Sequence, residues 1–150
     1  MTKITPHFSF EEMIVTDHSE FQKGVNLHAK ENLEKLEMLC WHLEAIRAIL
    51  KCPLAITSAV RTKELTKAIG GSKTSQHIKI EAADFIPMKK PADVAFKEIK
   101  ESGYPFGQLI LEKRYLGFII HIGTGTKRQL LYSPTQGKYE AWQENKKYEV

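Results

Sequence analysis

With 150 residues, 42% hydrophobic and 27% charged, the chain has the size and balance of one ordinary domain that needs no disulfide staples, and it is not a disordered polypeptide. A formal charge of +4 and a pI near 9.0 favour anionic partners such as wall polymers, nucleic acid or acidic membranes, but the cations are scattered, with short clusters at Lys89-Lys90 and Lys146-Lys147, so no nucleic-acid partner is expected. Two cysteines, Cys40 and Cys52, are too few for a four-cysteine zinc site and are expected in the core, and no stretch reaches the length of a membrane span.

Residues 1–6 carry no apolar run ahead of a small-residue cleavage site, so the chain is expected to be made in the cytoplasm without a signal peptide. Ser9-Phe10-Glu11-Glu12 has the S-x-x-E form of a capping box, and Phe10, Met13 and Ile14 add a short apolar helical face. The polar run from Thr16 to Lys23, followed by Gly24 and Asn26, predicts a loop. Over 29–50, Leu33, Leu36, Leu39, Cys40, Leu43, Ile46 and Leu50 recur at steps of three and four and predict the main core helix. His42 lies off that line, and both it and Trp41 are read as packing residues.

After Pro53, residues 54–60 are apolar, partly β-branched and short, which predicts a strand with Arg61 at its exit. Residues 65–69 make about one helical turn stopped by Gly70-Gly71, and 72–75 form a polar loop. Pro91 opens another helix carrying Val94, Ala95, Phe96 and Ile99, with Gly103 as its stop. Residues 107–112, 117–122 and 128–133 predict three strands in an antiparallel meander. Helices first and adjacent strands later indicate an α+β fold, a small antiparallel sheet flanked by helices.

Ser75-Gln76-His77-Ile78-Lys79-Ile80-Glu81-Ala82-Ala83-Asp84 places a histidine and a carboxylate seven positions apart where an apolar strand begins. Both are zinc-ligand types, and a catalytic zinc takes three protein ligands and keeps a fourth position open. His121, within the apolar Gly117-Phe118-Ile119-Ile120-His121-Ile122-Gly123, is the candidate third. Strand alternation puts Ala82, Asp84 and Ile86 on one face and Ile119, His121 and Gly123 on another, with Ala82 and Gly123 leaving room for a metal and water. By spacing alone His77 with Asp84 is weak evidence for a metal, and a loop histidine with a strand-end carboxylate hydrogen-bonded to backbone is the favoured reading.

Ser75-x-His77-x-x-Ile80-x-Ala82-x-Asp84 resembles the S-x-H-x-x-G-x-A-x-D signature of the M15 zinc peptidases. Ser58-Ala59-Val60-Arg61-Thr62 is similar to their S-x-Y-R-S segment, residues 70–75 to their approach loop, and Gln108-Leu109-Ile110-Leu111-Glu112 to their late strand. Phe118-Ile119-Ile120-His121 resembles their W-V-H strand, and Phe8-Ser9-Phe10-Glu11-Glu12 with the long helix resembles the N-terminal part of small phage and prophage members. The likeness covers most of 8–133 within a single expected domain, 1–150, and leaves the C-terminal tail unassigned.

The resemblance implies a hedgehog/DD-peptidase-like fold with Zn2+ held by His77, Asp84 and His121. It further implies that Arg61 orients substrate or stabilises an oxyanion, and that peptidoglycan stem or crosslink peptides are cleaved. Both L-alanyl-D-glutamate endopeptidase and D-Ala-D-Ala carboxypeptidase action fit. Many relatives carry an acidic residue three positions before the last histidine, where this chain has Phe118, so Glu112 is the expected general base. Glu81 alternates out of phase with Asp84. Ile80 occupies the signature glycine, and a positive φ there would strain a β-branched residue. The expected context is a phage lysin, released through a membrane lesion or carried in a virion; the rival is a wall-binding or virion structural protein that keeps the fold without catalysis.

Overall fold

The computed structural model describes residues 1–115 and 117–149. A ribbon of β1 (Lys3–Thr5) and β2 (Phe8–Ser9) leads into α1 (Phe10–Met13). The expected capping box is present: Ser9 Oγ accepts the Glu12 N–H at 3.2 Å, and Glu12 Oε1 accepts the Ser9 N–H at 3.1 Å.

The loop expected after Thr16 is instead a 3-10 turn, Ser19–Phe21, running into α2 (Gln22–Lys30). Only Val25 and Ala29, four apart, are buried on α2. Burial of that pair outweighs a mid-helix Gly24, which costs ~1 kcal/mol relative to alanine. The core helix, α3 (Leu33–Leu50), accordingly starts later than expected, because the chain breaks at Asn32 (φ −132°) and Ala29 belongs to α2. Leu36, Leu39, Cys40, Leu43, Ile46 and Leu50 form its buried stripe. His42 packs as expected, with Nδ1 at 3.2 Å from the Tyr104 hydroxyl, whereas Trp41 faces solvent at 54% exposure.

β3 (Leu54–Ser58), α4 (Lys63–Ala68), β4 (Ala82–Pro87) and α5 (Ala92–Glu101) lie where the sequence places them, with Pro91 as the N-cap of α5. β5 (Gln108–Arg114), β6 (Gly117–Gly123), β7 (Gln129–Thr135) and β8 (Lys138–Ala141) complete a six-stranded sheet of order β3-β4-β6-β5-β7-β8. The expected meander is therefore corrected. β6 is paired on one side with β4 and on the other with β5, so β7 has no edge of β6 to join and runs parallel to β5 instead. The connection hugs the start of β5: a Cβ on Gly107 would collide with the Thr124 carbonyl, and Arg128 and Gln129 donate to the carbonyls of Phe106 and Gly107 at 2.9 and 3.0 Å. The Arg128 side chain then holds the carbonyls of Tyr104 and, at 2.6 Å, Lys100, beyond and within the last turn of α5.

The sheet has two distinct faces. Phe85, Leu109, Leu111, Ile120 and Ile122 are fully buried on one, against which α5 packs while also meeting α3. Asp84, Ile110, Glu112 and His121 alternate onto the other. This is an α+β fold with a small sheet flanked by helices, mixed in strand direction through the β5–β7 pair. The C-terminal segment folds back, its Trp142 ring 5.0 Å from Phe96 and its Tyr148 ring 4.3 Å from Tyr132.

Candidate metal centre

Asp84 of β4 and His121 of β6 are direct register partners, so antiparallel pairing alone brings them side by side on the open face. His77 arrives from the preceding loop. That loop is pinned where the Arg61 N–H donates to the His77 carbonyl at 3.3 Å and the Glu81 N–H to the Gln76 carbonyl at 2.9 Å. Ile80, turning the chain into β4, sits at φ 58° with its side chain 2% exposed. The left-handed conformation costs a non-glycine residue ~1–2 kcal/mol, and full burial of an isoleucine contributes ~1.5–3 kcal/mol. The core contact thus offsets the strain at the signature's glycine position.

One ligand atom from each of His77, Asp84 and His121 falls within 4.8 Å of the other two, and all three residues are buried. The His77 Nδ1 lies 2.8 Å from the Ala59 carbonyl, which only accepts, so Nδ1 carries the proton and Nε2 presents its lone pair 3.4 Å from Asp84 Oδ2. His121 Nδ1 meets Asp84 Oδ1 at 2.9 Å, and its Nε2 is buried without a partner among the described residues. Two imidazoles and a carboxylate, converging from a loop and two strands toward open space, are the donor set of a catalytic zinc. The residues fit Zn2+.

The electrostatics of Asp84 and His77 agree with ligation. Burial would raise the Asp84 carboxyl, but the charges and hydrogen bonds of His77 and His121 hold it well below the usual carboxylate range. Burial lowers His77 and so favours the neutral, metal-competent ring. Burial also opposes charge on His121, yet the Asp84 hydrogen bond and the nearby carboxylates raise it on balance.

The trio lines a cleft of about 920 Å³ together with Arg61 and Glu112. Arg61 donates from Nε to Ser58 Oγ at 2.9 Å and from Nη2 to Asp84 Oδ2 at 3.0 Å, and its Nη1 makes no hydrogen bond among the described residues. Glu112 is 7% exposed, and burial followed by the Asp84 charge pushes its carboxyl up to about 7. Glu81 is not among the residues that line the cleft. Phe118, an odd number of residues from His121, falls on the opposite side of β6 and packs against the core beside a second hollow. An acid at 118 would point away from the metal site on this regular strand.

One expectation about space is corrected. Gly123 leaves room not for a metal but for Gln76, whose amide oxygen a Cβ would strike and whose Nε2 donates to the Thr124 carbonyl at 3.3 Å. The sequence reading also passed over Gln76, Arg114 and Tyr139 as cleft residues. Alternation from Glu112 marks Arg114, but nothing in the sequence pattern marks Tyr139, half-exposed on the solvent-facing β8.

A family model described as Peptidase M15 matches residues 6–122, more than half of the chain, and spans all three ligand residues with Arg61 and Glu112. No curated protein matches the chain.

Proposed function

Because the chain belongs to the peptidase M15 family, we propose that it cleaves the stem or crosslink peptides of peptidoglycan as a phage-type lysin. The family fold and the His77, Asp84, His121 triad support zinc metallopeptidase activity. The observation that carries the reading is the convergence of that triad, on one open sheet face, with a buried carboxylate and a cation in the same cleft. His77, Asp84 and His121 would hold the zinc ion, which would supply a water of lowered pKa and polarisation of the scissile carbonyl.

The chain's own groups supply the rest. Glu112 takes a proton from the attacking water and passes it to the departing amine, a task suited to a carboxyl raised toward neutrality. Arg61 offers its Nη1, which makes no hydrogen bond among the described residues, to the carbonyl oxygen or to a substrate carboxylate. A net charge of +4 suits an anionic wall. Synthesis in the host cytoplasm, followed by release through a membrane lesion or carriage in a virion, completes the proposal. Among the described residues, no helix is long and apolar enough to cross a membrane.

Purified peptidoglycan and defined muropeptides test this reading, with new amines quantified and the cleaved bond identified by mass spectrometry. Release abolished by a chelator and restored by zinc is expected; no release from any wall substrate would sink it. A second reading, retained wall binding without turnover, draws on Ile80 held at φ 58° in the signature's glycine position. Tight sedimentation with peptidoglycan and no amine release would favour it.

A further inference from the structure

Arg114 stands two residues beyond Glu112 on the same face of β5, with 19% of its side chain exposed. Its Nη2 donates to Glu112 Oε2 at 3.2 Å and to Ser133 Oγ at 3.1 Å. Its Nη1 donates to the carbonyls of Lys113 at 2.7 Å and Ser133 at 3.4 Å. Ser133 is fully buried, is the register partner of Glu112 in the parallel β5–β7 pair, and donates onward to the Thr135 carbonyl at 2.9 Å. The four Nη hydrogens of Arg114 are thus matched by four protein acceptors, which leaves none of them to grip a substrate. Arg61, whose Nη1 makes no hydrogen bond among the described residues, differs on this point. A guanidinium fixed to the backbone of one strand and bonded to a carboxylate of the next restrains that carboxylate's orientation.

We infer that Arg114 is a positioning residue that, anchored on Ser133, holds the Glu112 carboxylate in one orientation toward the cleft; the inference rests on Glu112 being the general base. Misplacing a reacting group by about 1 Å costs on the order of 10²-fold in rate. Restraint of this kind acts on turnover and not on substrate affinity.

The test compares Arg114→Gln, Arg114→Lys, Ser133→Ala, Glu112→Gln and the Glu112→Gln/Arg114→Gln double variant on soluble muropeptides, with zinc content measured for each. Arg114→Gln is expected to lower kcat about 10²-fold at unchanged KM and zinc content, with Arg114→Lys recovering part. The double variant should be no slower than Glu112→Gln, because both changes act through one carboxylate. A raised KM with kcat kept, or additive losses in the double variant, overturns the inference. Turnover retained by Glu112→Gln removes the base assignment and the inference with it. Turnover lost in Glu112→Gln but kept in Arg114→Gln removes the inference alone. Should Arg114→Gln fail to fold, Ser133→Ala still removes the hydroxyl that accepts from Nη2 beside Glu112 while leaving the carbonyls that hold Nη1, and an unchanged kcat there is a refutation. Independently of turnover, carboxyl NMR of zinc-loaded protein should show the Glu112 titration midpoint moving upward in Arg114→Gln as a neighbouring cation is lost; an unmoved midpoint overturns the inference.

Discussion

A zinc-binding histidine must present a lone pair, and the partner of its other ring nitrogen decides which atom carries it. For His77 that partner is the Ala59 carbonyl, a contact made across 18 residues that no spacing rule discloses. The residue types of the triad were legible in the sequence; the tautomer was not. His77→Ala and His121→Ala should each abolish stoichiometric zinc, and metal analysis showing full retention in both would refute the ligand set. Ile80 shows the converse. Its position flagged a departure, but the sign of the effect needed both φ and burial. Ile80→Gly relieves ~1–2 kcal/mol of left-handed strain yet forfeits the ~2–5 kcal/mol typical of emptying an aliphatic core site, and glycine adds ~0.5–1 kcal/mol of backbone entropy. A net loss of about 2 kcal/mol in urea unfolding is expected, and a gain in stability would show that strain dominates.

Elements with a strong periodic signal were legible: the capping box of α1, the leucine stripe of α3 and the strands that bear the ligands. α2 and β8 were not, because three apolar residues in nine, with Leu27 among them exposed, and a solvent-facing strand leave almost no pattern to read. The meander failed for a different reason, since pairing depends on which sheet edge is free, a property of the assembled sheet. α3 carries its own pH response. Burial of His42 against Tyr104 pushes it from 6.5 down to about 4. The folded state therefore binds fewer protons than the unfolded chain in that window, so stability is intact above pH 6.5 and falls as pH drops toward 4. Relative to wild type, His42→Gln should be spared about 2 kcal/mol of the loss between pH 7 and pH 5. Equal pH slopes in urea midpoints for the two proteins would contradict this.

At the scale of the molecule, sheet alternation divides the work, with Phe85, Ile120 and Leu111 filling the core while Asp84, His121 and Glu112 floor the cleft. The family match ends at residue 122, before β7 and β8. Those strands nonetheless supply Ser133 behind Arg114 and Tyr139, Gln129 and Leu131 along the cleft. The C-terminal segment in turn covers β7, through Tyr148 on Tyr132, and α5, through Trp142 on Phe96. The three ligands sit on β4, β6 and the loop before β4, and none of their side chains takes part in these ring contacts. Stability and metal binding should therefore separate in Trp142→Ala. Truncating a fully buried tryptophan costs ~3–5 kcal/mol, and Trp142 is only partly buried, so a loss of about 2 kcal/mol is expected. Zinc stoichiometry and affinity should match wild type while the unfolding midpoint falls. Loss of zinc affinity in parallel with stability would mean that the C-terminal segment is part of what holds the ligands in place.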